Sequence, residues 1–310
     1  MADKGKESQT ELASAPFDGI SSVRFSPTDP SHLLVSSWDT TVRFYDVNAN
    51  EQRCKFDHRA AVLDCCFSQD GKHGFSGGLD TSVREFDLES ETFRHLGQHD
   101  QSISSTVFSK TTNTLITGSW DRTLRFWDPR AQTSQQASYA LPERVYNMDI
   151  TGTTLVVAMA SRLFHIYDIR HMDTPAQERE SSLKFLTRAL ACMVDGQGYA
   201  TGSVEGRIAV EYFDPSAEAQ EKNYNTFASA GSDGTVSIWD HKSKKRLRQY
   251  SRYNSAVPSL SFSCDGARLA VGVSYNWDEG SEGARASMNT RPQIWIRDIG
   301  DEVKPKGWTP

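Results

Sequence analysis

The residues of this 310-residue chain best suited to chemistry are His99, Thr117 and Asp121: an imidazole, a hydroxyl and a carboxylate, the types a hydrolytic triad uses. The indole of Trp127 follows Asp121 by six residues. A second set, His58, Ser76 and Asp80, stands 41 residues earlier, with Phe86 where the indole would be. A triad serves one cleft and has no reason to recur at a fixed interval, whereas a repeated scaffold needs a repeated buried hydrogen-bond chain. The set is therefore read as structural, no catalytic residue is assigned, and the chain is expected not to be an enzyme. Five cysteines (Cys54, Cys65, Cys66, Cys192, Cys264) show neither CxxC nor CxxH spacing, so no metal site, redox pair or cofactor is expected. Cys65 and Cys66 sit in an apolar run and read as buried thiols.

The element that must position His99, Thr117, Asp121 and Trp127 is the stretch Thr117-Gly-Ser-Trp-Asp-Arg-Thr-Leu-Arg-Phe-Trp-Asp128. It reads as the end of one strand, a tight turn containing Asp121, and a second strand alternating at Leu124 and Phe126, hence a hairpin. Variants recur around Asp39, Asp80 and Asp233, each six residues ahead of an aromatic residue followed by Asp. Tyr45, Phe86 and Trp127 are 41 residues apart. A period of about 40 to 45 residues closing on Trp-Asp is the WD-repeat signature. It predicts an all-β, seven-bladed WD40 propeller rather than a sandwich, which requires no fixed period.

Taken in order, residues 1–9 are expected to be disordered and 10–300 to form one propeller domain, with 301–310 a tail. Residues 10–15 form a candidate strand that pairs with the last blade. Blade four is degenerate, with Ser161 at the place of the turn Asp. Blade five carries Glu205-Gly206 at its turn, and Glu211 where the repeat has Trp. Only 28 residues separate Glu211 from Trp239, the next such place. Residues 226–240 supply a second and a third strand for blade six, but the polar residues 213–224 cannot supply an apolar first one, so blade six is expected to lack its inner strand. In blade seven a polar insertion, 276–291, reads as a loop.

A net charge of −6, from 34 basic and 40 acidic residues, offers no electrostatic case for nucleic acid. No run of 18 apolar residues exists and the N-terminus is too polar for a signal peptide, so no membrane role is expected and the protein is read as soluble and intracellular. By charge alone Arg179, Lys184, Arg188 and Arg207 are solvated loop cations. The basic run 241–248 reads as a solvated hairpin, with a nuclear-import patch as the alternative. Trp38 and Trp120 occupy turn positions where most such repeats carry small or polar residues: Trp38 reads as a candidate anchor for a partner, and Trp120 either as a second anchor or as packing against a neighbouring blade.

The chain resembles one family along nearly its whole length: the mitotic-checkpoint WD-repeat proteins of kinetochores, sisters of the mRNA-export factors of the nuclear pore. The resemblance rests on Asp18-Gly-Ile-Ser-Ser-Val-Arg-Phe-Ser-Pro27, Leu34-Val-Ser-Ser-Trp-Asp-Thr40, Ala61-Val-Leu-Asp-Cys65, Arg179-Glu-Ser-Ser-Leu-Lys184 and Glu205-Gly-Arg-Ile-Ala-Val-Glu-Tyr212. The family resemblance implies a non-enzymatic adaptor, monomeric within hetero-complexes, located in the nucleus and at mitotic kinetochores. It implies binding of a GLEBS segment of checkpoint kinases and their relatives, and of phosphothreonine in MELT repeats of a kinetochore scaffold. By position it assigns Arg207 to the phosphothreonine and Arg188 to acidic residues of the partner segment, with Trp38, Trp120, Lys184 and Arg179 as further contacts. The sister function, binding a GLEBS-bearing nucleoporin, is the alternative.

Overall fold

The computed structural model describes residues 8–214, 226–241, 243–277, 280–287, 290–300 and 303. These form seven antiparallel sheets in chain order. After a short strand β1 (Gln9–Glu11), the first sheet takes β2 (Ile20–Phe25), β3 (His32–Ser37), β4 (Thr41–Asp46) and β5 (Glu51–Asp57). The second takes β6 (Val62–Phe67), β7 (His73–Gly78), β8 (Ser82–Asp87) and β9 (Thr92–Gln98). The third takes β10 (Ile103–Ser109), β11 (Thr114–Ser119), β12 (Thr123–Trp127) and β13 (Gln135–Ala140), and the fourth β14 (Val145–Thr151), β15 (Thr154–Met159), β16 (Leu163–Asp168) and β17 (Gln177–Glu180). The fifth has three strands, β18 (Thr187–Cys192), β19 (Gly198–Ser203) and β20 (Ile208–Tyr212), as has the sixth, β21 (Thr226–Ala230), β22 (Val236–Asp240) and β23 (Lys245–Gln249). The seventh joins β24 (Ser259–Phe262), β25 (Arg268–Val273) and β26 (Gln293–Asp298) to β1. These sheets are the seven blades.

The hairpin turns explain why the repeat needs Asp. In six of them the residue after the turn acid or its substitute has positive φ: Thr40, Thr81, Arg122, Arg162, Gly206 and Gly234. Left-handed backbone at a non-glycine residue carries strain. The Asp side chain offsets it by accepting the N–H two residues on, as Asp39 does from Thr41 (3.1 Å), Asp121 from Thr123 (2.9 Å) and Asp233 from Thr235 (3.0 Å).

The chain divides into two compact units, residues 1–62 with 224–310, and residues 63–223. In the first, β1 pairs with β26 in the register Gln9↔Arg297, Thr10↔Ile296, Glu11↔Trp295, so the last sheet is completed by the chain's beginning. The strand expected over 10–15 is thus shorter and starts one residue earlier. Ile20, Val23, Leu33, Tyr45, Ala270 and Ile294 form one core of this unit, and Val236, Ile238, Tyr250, Leu269 and Val271 another. In the second unit, Phe75, Val83, Ile103, Leu115 and Trp127 pack together, as do Ile116, Leu124, Met148 and Val157, and Val156, Phe164 and Tyr199. Each core joins residues of successive sheets.

Successive first strands are also tied by hydrogen bonds at about the repeat period. The N–H groups of Thr106, Met148 and Cys192 donate to Asp64 (2.8 Å), Ser105 (3.1 Å) and Asp149 (2.7 Å) in the second unit. Those of Val23 and Phe25 donate to Ser259 (3.0 Å) and Ser261 (2.9 Å) in the first. Sequence reading did not single out these residues.

One expectation is modified. The polar insertion at 276–291 is not simply a loop, because Gly280–Ser287 form a helix, α1, with Glu282 in its first turn, where the helix dipole favours an acid. Among the described residues the fifth sheet ends at β20 and the sixth begins at β21, and the residues 215–225 between them lie outside the described residues. Residues 1–7, 215–225 and 304–310 lie outside the described residues, and with them most of the N-terminal segment, the break in blade six and most of the tail.

Candidate partner-binding surface

In blade three, Asp121 Oδ2 lies 2.9 Å from His99 Nδ1, His99 Nε2 lies 2.7 Å from Thr117 Oγ1, and Trp127 Nε1 donates to the same oxygen at 2.8 Å. The network assigns the tautomer: His99 donates from Nδ1 to the carboxylate and accepts the Thr117 proton at Nε2. Burial, outweighing the carboxylate's pull, holds the His99 pKa below its ordinary value, so the ring stays neutral. Burial alone would raise the Asp121 pKa. Hydrogen bonds from His99, Thr123 and the Asp100 N–H outweigh it and hold the carboxylate well below its usual range. Thr117 is fully buried, its proton committed to His99 and a lone pair to the indole. No substrate can reach that hydroxyl, so the arrangement can rigidify a blade but cannot attack a carbonyl. Blade six keeps a fragment of the same device, Trp239 Nε1 to Ser229 Oγ at 2.7 Å.

Blade five is built differently. Arg207 follows the Glu205-Gly206 turn with its side chain 72% exposed, 3.7 Å from Glu205. Arg188, at the start of β18, and Lys184, just before that strand, are exposed as well. Around them Phe185, Leu186, Val204 and Ile208 are exposed apolar side chains, and the Val204 N–H donates to the Leu186 carbonyl at 3.1 Å. Cations set among accessible apolar groups are what an anionic peptide side chain with an apolar flank requires. The apolar members were not singled out from sequence. The available signal was Val204, which stands before the turn acid where blades one and three carry Trp38 and Trp120.

Arg179 differs from its neighbours. Its guanidinium donates to the carbonyls of Tyr212 and Phe213, both at 2.8 Å, and lies 3.7 Å from Glu211. Gln177 donates to the Phe213 carbonyl too, at 3.0 Å. Arg179 thus ties β17 to the end of β20, and the expectation of a solvated cation does not describe it. Trp38, in the other unit, is 45% exposed at its turn. Trp120 is half-buried, and its indole N–H is buried without an acceptor. Residues 245–249 of the basic run form β23, whose Lys245, Arg246, Arg248 and Gln249 are exposed, with Arg246 over the Trp239 ring. Cys65 is buried and Cys66 half-buried, and among the described residues no cluster of three or more His, Cys, Asp or Glu could hold a metal ion.

A model of the WD domain, G-beta repeat, matches residues 8–46, 50–87, 90–128 and 220–240. Among solved structures, U3-55K superposes with a TM-score of 0.76 over 94% of this chain and 98% of its own, at 15% identity, which speaks to the fold alone. The mitotic checkpoint protein BUB3.1 of Arabidopsis thaliana is 44% identical over 96% of this chain and 94% of its own length. That alignment spans 328 residues, more than the 310 present here, so the relative carries residues with no counterpart in this chain. The mitotic checkpoint protein bub3 of Dictyostelium discoideum is 37% identical over 98% of this chain, and a Poly(A)+ RNA export protein of Schizosaccharomyces pombe 35% identical over 96%. Seven WD-type blades and full-length similarity of this degree place the chain in the family of WD-repeat propellers that includes the mitotic checkpoint protein BUB3 and its RNA-export sisters.

Proposed function

We propose that this chain is a non-enzymatic adaptor of the mitotic spindle checkpoint, acting in the nucleus and at kinetochores. In this reading it binds GLEBS segments of checkpoint kinases and phosphothreonine MELT repeats of a kinetochore scaffold. The observation that carries the reading is the accessible guanidinium of Arg207, close to no acid but Glu205 among the described residues, on a blade that also exposes Arg188 and Lys184. A phosphothreonine bears nearly two negative charges and three acceptor oxygens, and a fixed guanidinium meets two of them at once. The checkpoint names of two relatives similar over nearly the whole chain support the same role.

The test is binding of a MELT peptide, phosphorylated or not, to the wild-type chain and to Arg207→Ala. Loss of a charge-assisted hydrogen bond predicts about a 10- to 100-fold weaker phosphopeptide complex. Equal affinity in the variant removes Arg207 from the site. The export role is the second reading, supported by the similarity to an RNA export protein over 96% of this chain. Capture of a GLEBS-bearing nucleoporin but not of a checkpoint kinase would favour it.

A further inference from the structure

The outer strands of the blades differ in how their charges are disposed. In β5, Arg53 lies 3.8 Å from Asp46 and Lys55 lies 3.1 Å from Asp57. In β9, Arg94 pairs with Glu85; β13 carries no charged residue; in β17, Arg179 is held by the carbonyls of Tyr212 and Phe213. By contrast, β23 has Lys245, Arg246 and Arg248 and no acid, with Lys244 immediately before it, and all four are exposed. Lys244, Lys245 and Arg246 form no ion pair among the described residues. We propose that β23 is a docking edge for an extended acidic segment of a partner protein, which adds to the sixth sheet as a further strand and meets these cations with consecutive carboxylates. The site goes beyond the adaptor reading, since β23 belongs to the unit 1–62 with 224–310 and the blade-five cations belong to the other.

Three observations carry the proposal. First, among the described residues the sixth sheet ends at β23, which pairs on one side with β22. The other side of such a strand is a template for pairing unless something deters it. Cations deter a neutral or basic strand and admit an acidic one, so the side chains that guard the edge also set its selectivity. A nucleic acid, the other common polyanion, has no strand backbone with which to pair. Second, the cations flank the edge on both faces. Arg246 stands opposite Trp239 and Arg248 opposite Ile238, and these two are successive residues of β22, with Leu247 taken up in a bulge. Successive residues of an added strand also point to alternate faces, so neighbouring carboxylates would each meet a cation. Third, the guanidiniums are ordered in advance. Arg246 lies over the Trp239 ring at 5.8 Å and Arg248 over the Tyr250 ring at 5.9 Å, while the Trp239 indole donates to Ser229 at 2.7 Å. Stacking on a ring face orders a guanidinium without using its in-plane N–H donors, which lowers the cost of binding.

The experiment follows the backbone ¹H–¹⁵N resonances of residues 244–249 in the full chain, together with amide hydrogen exchange. The probes are a blocked peptide with a run of Glu between Thr residues, the same peptide with Gln for Glu, the Glu peptide with a central Pro, and oligothymidylate. The Glu peptide should shift these resonances saturably and slow exchange of the β23 amides. The Gln peptide should bind more weakly by about tenfold or more, because several surface ion pairs act together. Proline removes a backbone donor from the added strand and should also weaken binding by about tenfold. Lys245→Gln with Arg246→Gln should abolish the preference for Glu over Gln, and Lys245→Glu with Arg246→Glu should reverse it. Equal affinity for the Glu and Gln peptides, indifference to either double substitution, or shifts confined to residues outside 244–249 overturns the proposal. A Pro peptide that binds as tightly as its parent means charge attraction without strand addition and overturns it as well. Tighter binding of oligothymidylate at the same residues overturns it in favour of nucleic acid.

Discussion

Blades three and five are copies of one repeat used for opposite ends. Blade three ties its central polar groups together: Asp121, His99, Thr117 and Trp127 form one chain, and Ser119 Oγ donates to the carbonyls of Gln101 and Ser102. Blade five carries Leu183, Thr201, Glu205 and Glu211 at the matching positions. There the Thr187, Thr201 and Ser203 hydroxyls and one Glu205 oxygen are buried without partners. Glu211 takes the place of the indole and accepts instead from the Tyr199 hydroxyl at 2.8 Å. On β18, Ala189 and Ala191 are exposed, where β6, β10 and β14 use Asp64, Ser105 and Asp149 to hold the next first strand. One blade concentrates stability, while the other leaves cations and apolar side chains accessible. A repeat protein can separate the two because each blade's internal network is nearly self-contained.

The comparison breaks most sharply at Trp127. Trp127→Ala empties a fully buried site and should cost about 3–5 kcal/mol in denaturant unfolding. A paired substitution sharpens it. Thr117→Val deletes the oxygen on which His99 and Trp127 converge and should destabilise by about 1–3 kcal/mol, whereas Thr201→Val removes an unpartnered hydroxyl and should be neutral within about 0.5 kcal/mol or stabilising. Equal losses at the two threonines would mean that the blades are energetically alike.

Acid should act on blade three in the same sense. The His99 pKa lies below its ordinary 6.5, so the unfolded chain takes up the proton first. Stability from the neutral ring is therefore lost as pH falls below about 6.5. Asp121, also depressed, adds a further loss as pH falls below its ordinary 3.8. Measured between pH 7.5 and 5.5, unfolding free energy should fall less steeply in His99→Gln than in the wild type. An identical slope would place the titrating group elsewhere. The smallest effect is expected at Arg207→Ala, which should leave stability within about 0.5 kcal/mol, as surface substitutions do, while weakening phosphopeptide binding.

The hairpins, the Asp turns and the order Asp121–His99–Thr117–Trp127 were legible because each depends on alternation and spacing within one repeat. Other features were not. Arg179 is solvated by its sequence neighbourhood, yet it is captured by carbonyls 33 and 34 residues later. The helix at Gly280–Ser287 lies in a polar insertion without an apolar face to announce it. On the turn side of blade three a recess of about 300 Å³ joins Gln101, Trp120, Arg122, Glu143 and Arg144, which no local pattern brings together.

By itself, then, the amino-acid sequence determined the blade: strand period, turn chemistry and the hydrogen-bond set are short-range and repeat every 41 residues at Tyr45, Phe86 and Trp127. Only the tertiary structure decided which polar groups are satisfied and which remain available. An acceptor or an opposing charge comes from the neighbouring strand or sheet, tens of residues away, and whether it arrives within hydrogen-bonding distance depends on how those strands pack.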